Sequence, residues 1–210
     1  MNADCSIVLY SLGDIAMKIA SIAFVFLAAT LSGANAQNLL KNSSFETPVV
    51  AEGTFFNGFA PGHNIGAWTV VGSASNLGGV TLVSGAYQTD GITFNAHSGK
   101  QYLNLDWGYT AGVEQTVTTT TGANYILTFW LGSAYPTNGF ADLSMVDVYI
   151  NGYRTASMIQ IGKVGSTKQI WKQYSVTLTA SSNQTTITLL NGTQFAVNDA
   201  IDDVKLVPAQ

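Results

Sequence analysis

Alternation of apolar and polar residues with a period of two is the feature that most restricts the fold of this sequence. The clearest case runs from Tyr174 to Thr179, where Tyr, Val and Leu on one face alternate with Ser, Thr and Thr on the other. After Gln37, apolar residues nowhere recur at helical spacing over a dozen positions. The pattern therefore predicts an all-β chain.

Turn residues divide the chain into short strand-like runs. Asn151-Gly152 follows an alternating run and is the residue pair best suited to positive φ at both turn positions, which predicts a hairpin. About ten strands at this spacing predict a β-sandwich or barrel. The candidates are residues 67–71, 80–83, 101–106, 113–117, 124–131, 146–150, 156–161, 174–179, 185–190 and 200–207. Residues 52–66, 84–99 and 133–142 are predicted to be long irregular segments.

The first 36 residues have the pattern of a secretory signal. Met17-Lys18 precedes an apolar run that ends at Leu31, and Ala34-Asn35-Ala36 supplies the small residues of a cleavage site. The run is too short for a membrane-spanning helix, which needs about 20 apolar residues. We therefore predict a signal peptide over 1–36 and one domain over 37–210. Translation from Met17 fits the charge of the leader better than translation from Met1, and both starts release the same mature chain.

Composition excludes several functional classes. The chain of 210 residues has 8 Lys plus Arg against 12 Asp plus Glu, a net charge of −4, so it offers no basic surface for nucleic acid. The single cysteine, Cys5, lies in the leader, so the mature domain is predicted to fold without disulfides. Because only 10% of the residues are charged, the composition favours a neutral partner such as a glycan.

Motifs for catalysis are absent from the sequence. The two histidines, His63 and His97, fall in glycine-rich segments and are interpreted as exposed loop residues. No GxSxG, HExxH or cysteine-based zinc spacing occurs. A pair of acidic residues for glycoside hydrolysis can be chosen in many ways and therefore indicates nothing. Sequence alone favours a binding module over an enzyme.

The last strand places a carboxylate in an unusual position. Period-two alternation puts Asp202 on the same face as Val204 and Leu206, which predicts that it points inward. A buried carboxylate needs hydrogen-bond donors, a proton or a cation. Calcium, with Glu46 as the second carboxylate ligand, is one solution. Two others stay open: a bulge that turns Asp202 outward, or main-chain amides that satisfy its charge.

Five short motifs, in order, carry a family resemblance. The chain reads NLLKNSSFE from Asn38, AWTV from Ala67, VEQTV from Val113, GANYILTF from Gly122 and AIDDV from Ala200. This series resembles secreted galactose-binding-like β-sandwiches, particularly the choice-of-anchor C group and the related plant cell-wall domain of unknown function. It is distantly similar to carbohydrate-binding modules of plant-wall hydrolases. The resemblance implies a single jelly-roll β-sandwich.

The same resemblance bears on the metal and on localisation. Glu46 and Asp202 match calcium-site elements of the carbohydrate-binding modules, which implies a structural Ca²⁺ with a main-chain carbonyl near Gly99-Lys100 as a further ligand. Ser43 stands where the family usually has glycine, and residues 197–199 replace the small lead-in to its last strand. No C-terminal sorting tail of the anchor group is present, which implies a freely secreted product, extracellular or, in a Gram-negative organism, periplasmic.

Aromatic residues are the natural platforms for sugar rings, with polar side chains around them. Trp68 and Trp171 fall at strand positions that match hydrophobic-core positions of the resembled family, which implies that they pack. Trp130 lies opposite the apolar face of its strand and is a candidate to line a binding face. The other candidate ligand residues lie in or near turns: Trp107, Tyr109, Asp106, Tyr135 and Arg154, with Tyr87 and Asn95 as weaker ones.

The function that these features predict is a secreted, non-catalytic protein that binds cell-wall, matrix or exopolysaccharide glycans. The first alternative is a structural or adhesive extracellular protein whose partner is another protein. The least favoured is a small glycan-active enzyme. The sequence predicts no nucleic-acid partner and no membrane span in the mature chain, and it leaves the oligomeric state open.

Overall fold

The computed structural model describes residues 36–55, 57–72, 78–105, 110–134, 143–192 and 199–210. Every regular element in these residues is a β-strand. The strands are β1 (Asn57–Phe59), β2 (Asn64–Ile65), β3 (Trp68–Gly72), β4 (Val80–Ser84), β5 (Gln88–Thr89), β6 (Ile92–Thr93), β7 (Gln101–Asn104), β8 (Ala111–Thr118), β9 (Asn124–Ser133), β10 (Leu143–Ile150), β11 (Tyr153–Ile161), β12 (Ile170–Thr179), β13 (Gln184–Asn191) and β14 (Ala200–Pro208).

Two six-stranded antiparallel sheets form the sandwich. Sheet I has the strand order β1-β4-β7-β14-β9-β12, and sheet II has the order β11-β10-β13-β8-β3-β2. Strands β5 and β6 form a short hairpin, which is a separate two-stranded sheet. Few neighbouring strands are consecutive in sequence, which is the long-range connectivity of a jelly roll.

Alternate residues of both sheets point into one apolar core. Strand β9 contributes Tyr125, Leu127, Phe129 and Leu131, while Val146 and Val148 of β10 meet them from sheet II. Trp68 is fully buried in this core and donates its indole N–H to the carbonyl of Asn42 at 3.1 Å. The period-two pattern of the sequence thus becomes the inside and the outside of the sandwich.

The strongest sequence predictions are confirmed. The alternating run at 174–179 lies in β12, with Tyr174, Val176 and Leu178 on its core side. The predicted hairpin joins β10 to β11, and its turn residues Asn151 and Gly152 have φ values of 51° and 81°. Both turn residues therefore take the positive φ that the Asn-Gly pair supplies.

Two of the segments predicted to be irregular contain short strands. Residues 52–66 include β1 and β2, and residues 84–99 include the β5–β6 hairpin; most of 133–142 lies outside the described residues. Strands of two or three residues are too short for alternation to reveal them. The hairpin segment builds a second hydrophobic cluster on the outer face of sheet I, formed by Val83, Ile92, Phe94, Tyr102, Ala134 and Ala200.

The described residues contain no helix that is both long and apolar enough to cross a membrane.

Candidate functional site

The two outer faces of the sandwich differ in how far they are covered. The outer face of sheet I, which we call the covered face, lies beneath the β5–β6 segment and the second hydrophobic cluster. The outer face of sheet II, which we call the open face, carries side chains of β10, β11, β13, β8 and β3 that are mostly half-buried or exposed. The predicted metal residues belong to the first face, and Arg154 belongs to the second.

Glu46 and Asp202 hold one loop, residues 95–101, against the covered face. One oxygen of Asp202 accepts the Ser98 amide at 2.8 Å, and the other accepts the Asp203 amide at 2.7 Å. Glu46 Oε1 accepts the amides of Lys100 at 2.9 Å and Gln101 at 3.2 Å. We call residues 95–101 the latch loop, because two carboxylates fix its backbone, Asp202 at Ser98 and Glu46 at residues 100–101.

Gly99 makes the latch possible. Its φ is +70°, in the left-handed region, and a Cβ at this position would lie 2.2 Å from Glu46 Oε1. A larger residue would therefore be strained and would push the carboxylate away from the amides it accepts.

The prediction that Asp202 shares the face of Val204 and Leu206 is wrong. Asp202 pairs with Trp130 on the outer side of sheet I, whereas Val204 and Leu206 belong to the core. A register shift lies between Asp202 and Lys205, and Asp203 has a φ of 50°. One extra residue in the strand reverses the alternation, as a β-bulge does. Asp202 is nevertheless fully buried, because the latch loop covers it.

Burial raises the pKa of Asp202 from 3.8 to about 7, even though main-chain amides of Ser98, Asp203 and His97 favour the charged form and lower it. Loss of water around the carboxylate is thus the larger effect. Close to neutral pH the group exchanges a proton, so the strength of the latch depends on pH.

The geometry around these carboxylates bears on the calcium prediction. The hydrogen-bond partners of both are N–H groups, and at Lys100 the main chain presents its amide to Glu46 where a carbonyl ligand is expected. Among the described residues, no three Asp, Glu, His or Cys side chains form a group that could hold a metal. Main-chain amides therefore satisfy the charge of Asp202, which is one of the alternatives that the sequence left open. Calcium stays a prediction.

Three aromatic side chains pack beside the latch. His97 stacks on Trp130 with ring centroids 3.8 Å apart and planes 18° apart, and it meets the edge of Trp171 at 6.0 Å. Trp171 donates its indole N–H to the carbonyl of Asn95 at 3.0 Å. Because His97 occupies one face of the Trp130 ring, that face of the candidate platform is not available to a sugar.

His97 is one of the residues that sequence reasoning missed, because its pattern predicts an exposed loop residue and the structure stacks it on Trp130. Burial lowers its pKa, and Asp203, whose carboxylate lies 3.9 Å from Nδ1, acts in the opposite direction. Asp203 in turn accepts from Lys205 at 3.0 Å. The latch loop positions His97 against Trp130, and no pattern in the local sequence predicts this stacking.

A cleft of about 600 Å³ opens on the other side of the latch loop. Its lining combines the polar side chains of Glu46, Glu52, Asn95, Lys100 and Gln101 with two valines and several small residues. Glu46 already serves the latch with one oxygen, so a ligand in this cleft would share a side chain that the fold needs.

A continuous row of polar side chains crosses the open face. Strand pairing aligns one residue from each of six strands, so that each member faces the next. The row consists of Arg154, Tyr149, Thr188, Glu114, Thr69 and Asn64. At about 4.8 Å between strands, it extends roughly 24 Å. Thr188 donates to Glu114 at 3.4 Å, and Thr69 donates to Asn64 at 3.2 Å.

Arg154 is held at the β10–β11 end of this row. Its Nη2 donates to Asp147 Oδ1 at 2.7 Å and to Ser157 Oγ at 2.6 Å, and the Ser157 hydroxyl donates to the same carboxylate oxygen. The neighbouring carboxylate raises the pKa of Arg154, which stays charged. Sequence selected Arg154 as a candidate, but it could not show that pairing across strands continues into a row.

The remaining candidates divide into two groups. Trp68 and Trp171 pack as expected, the first in the core and the second against the outer cluster. Asp106, Trp107, Tyr109 and Tyr135 lie outside the described residues.

Residues 38–206 match the family described as protein of unknown function (DUF642), and the chain belongs to this family. The resemblance to a plant cell-wall domain of unknown function is thereby confirmed. No curated protein sequence matches the chain.

Several solved structures have a similar fold. A Stig cyclase, Fisc, from Fischerella sp. TAU in complex with (3Z)-3-(1-methyl-2-pyrrolidinylidene)-3H-indole has a TM-score of 0.58 and 17% identity, covering 83% of this chain and 100% of that chain. Another structure of a cyclase from the same organism has a TM-score of 0.57 at 17% identity, covering 83% and 98%. At this identity the similarity establishes the fold alone.

TmCBM61 in complex with beta-1,4-galactotriose has a TM-score of 0.47 and 20% identity, covering 83% of this chain and 100% of that chain. A similarity of this size supports no inference about the ligand of the present chain.

Proposed function

We propose that the protein is a secreted, non-catalytic carbohydrate-binding protein that holds a polysaccharide strand along the open face. The observation that carries the proposal is the polar row from Arg154 to Asn64, which runs across six strands of sheet II. Secretion rests on the signal predicted over residues 1–36.

The chemistry of the row suits sugar hydroxyls, which both donate and accept hydrogen bonds. Arg154 donates, Glu114 accepts, and the hydroxyl of Thr69 does both. Thr188 is buried, and its hydroxyl donates to Glu114 from below the surface of the row. Arg154, its partner Asp147 and Glu114 together carry one positive and two negative formal charges, so the row favours a neutral chain over a polyanionic one.

The shape of the row supports an extended ligand. A length of roughly 24 Å accommodates several sugar units in line, whereas a single small molecule would use only part of it. Tyr149, near the Arg154 end, offers one aromatic ring to the apolar face of a sugar.

Two ion-paired cations, one on each outer face, provide a matched test. Arg154 pairs with Asp147 on the open face and its side chain is 52% exposed; Lys205 pairs with Asp203 on the covered face and is 46% exposed. Affinity electrophoresis through a panel of embedded polysaccharides should show retardation of the wild type. Arg154→Ala should lose most of it, and Lys205→Ala should keep it.

The results of these assays show which part of the proposed function is wrong, if any part is. Absence of retardation in every gel would argue against glycan binding, and loss in Lys205→Ala alone would move the site to the covered face. Release of new reducing ends from the same polysaccharides would show that the protein is an enzyme, contrary to the proposal.

A further inference from the structure

An apolar patch adjoins the polar row on the open face. Leu143 pairs with Ile161, and Met145 pairs with Ile159, so these four side chains form two neighbouring cross-strand pairs on β10 and β11. Ile159 is 47% exposed and Ile161 is 68% exposed. We call these four residues the aliphatic patch.

The aliphatic patch lies next to Arg154 on the same face. One step along the same face, Asp147 pairs with Ser157, and both hold Arg154. A step of two residues along a strand is about 7 Å. A ligand group of a few atoms therefore reaches the aliphatic patch and the guanidinium at the same time.

The size of the patch indicates its occupant. Its four Cα positions span about 5 Å between strands and about 7 Å along them. A stable interface between two proteins buries roughly 800 Å² on each partner, which is far more than the area of the aliphatic patch. A small apolar group attached to a ligand on the polar row fits the patch better than a second protein does.

The aliphatic side chains of the patch also indicate which ligand group would bind there. Bare pyranose rings stack on aromatic faces, and the patch is aliphatic, with no π face to offer. Aliphatic side chains gain instead from burying methyl groups, at about 0.8 kcal/mol for each carbon. The guanidinium carries five N–H donors, and those on Nε and Nη1 take no part in its bonds to Asp147 and Ser157. A methyl group joined to a carbonyl suits both parts of the site: the methyl can be buried on the aliphatic patch, and the carbonyl oxygen can accept from the guanidinium.

We propose that the aliphatic patch and Arg154 together form a subsite for O-acetyl groups, so that the protein prefers acetylated polysaccharides. The methyl group lies on Met145 and Ile159, and the ester carbonyl accepts an N–H from Arg154. This inference rests on the proposed function, because the acetyl group is borne by a glycan bound along the polar row.

The test compares each polysaccharide with its own deacetylated form. Acetylated xylan and acetylated glucomannan are titrated against the wild type, and the same preparations are used again after mild alkaline removal of their acetyl groups. The acetylated forms should bind about fourfold more tightly, which corresponds to one buried methyl group.

Two variants test whether the preference for acetylated polysaccharide depends on the aliphatic patch. Ile159→Ser should bring the affinity ratio of acetylated to deacetylated polymer close to one, without weakening binding of the deacetylated form. Val49→Ser is the matched control, since Val49 is an apolar β-branched residue, 81% exposed, outside the two sheets. It should leave the ratio unchanged.

Each result decides between the claims. Equal wild-type affinity for the two forms, or an equal loss of affinity for both in Ile159→Ser, overturns the acetyl subsite and leaves glycan binding standing. Failure to bind any preparation overturns both. A wild-type dimer in sedimentation that Ile159→Ser converts to a monomer would show instead that the patch is an interface between two copies.

Discussion

The two outer faces of the sandwich arise from the same alternation of residues, yet one is covered by a loop and the other is open to solvent. On sheet I, alternate positions hold Tyr102, Trp171 and Asp202, and a loop closes over them. On sheet II, most of the equivalent positions hold Thr, Glu, Tyr and Arg side chains that are half-buried or exposed. The difference shows that an outward position in a strand is not by itself a surface position, since a long connection can turn one face into a second core.

The largest expected effect is the pH dependence of the covered face. Because burial raises the pKa of Asp202 to about 7, the folded state holds a proton between about pH 4 and pH 7 that the unfolded state releases. The stabilisation from this proton is complete below about pH 4 and is lost as pH rises through about 7. At about 1.4 kcal/mol per pKa unit, it amounts to at most about 4 kcal/mol.

Urea unfolding of the wild type and Asp202→Asn from pH 4 to pH 8 measures this effect. The difference in free energy of unfolding, wild type minus variant, should fall from pH 4 to about pH 7 and level off above that, because the variant has no proton to lose. A constant difference would mean that the latch carboxylate is not penalised by burial.

The next effect contrasts one aromatic residue from each face. Trp171→Ala removes the edge contact with Tyr102 and the hydrogen bond to Asn95, and we expect it to cost about 3 kcal/mol. Tyr149→Ala, on the open face, should cost less than about 1 kcal/mol. Thermal or urea unfolding compares the two. Equal costs would show that the covered face is no second core.

Calcium ranks third. If an ion binds Glu46 and Asp202, saturation at 100 times its dissociation constant adds about 2.7 kcal/mol, which for a domain of this size raises Tm by roughly 5 to 10 °C. The melting curve is measured with excess chelator and with excess calcium, and Glu46→Gln serves as the control that should not respond. A wild-type Tm that is the same in both conditions would remove the calcium prediction and leave the amides as the sole partners of the latch.

The smallest expected effect concerns the two exposed ion pairs. Arg154→Ala and Lys205→Ala should each change stability by less than about 1 kcal/mol, because exposed pairs gain little over hydration. Urea unfolding of both variants checks this. A large loss in Arg154→Ala would mean that its effect on glycan binding reflects unfolding, and the matched comparison would lose its meaning.

Alternation and turn chemistry were sufficient to predict most of the sandwich. The run at Tyr174 and the Asn151-Gly152 turn depend only on neighbours in sequence, so they can be read locally. The bulge at Asp203 reverses the register of β14, and no residue type there announces it. Asp202 was therefore expected to be buried for the wrong reason: the latch loop covers it from outside.

The candidate site was less predictable than the fold. Arg154 was selected by its chemistry, but its row partners Thr69 and Glu114 come from strands far away in sequence and meet only through sheet pairing. The stack of His97 on Trp130 likewise depends on a loop whose position is fixed by Glu46 and Asp202. Such relations belong to the tertiary fold and leave no local pattern.

The most direct test of the central claim is to map where a glycan contacts the protein. Backbone amide chemical shifts are recorded by NMR while an oligosaccharide from a retained polysaccharide is added. The largest shifts should occur at Thr69, Glu114, Tyr149 and Arg154, with those of His97 and Trp130 nearly unchanged. Shifts confined to His97, Trp130 and their neighbours would place binding on the covered face and contradict the assignment of the open face as the glycan site.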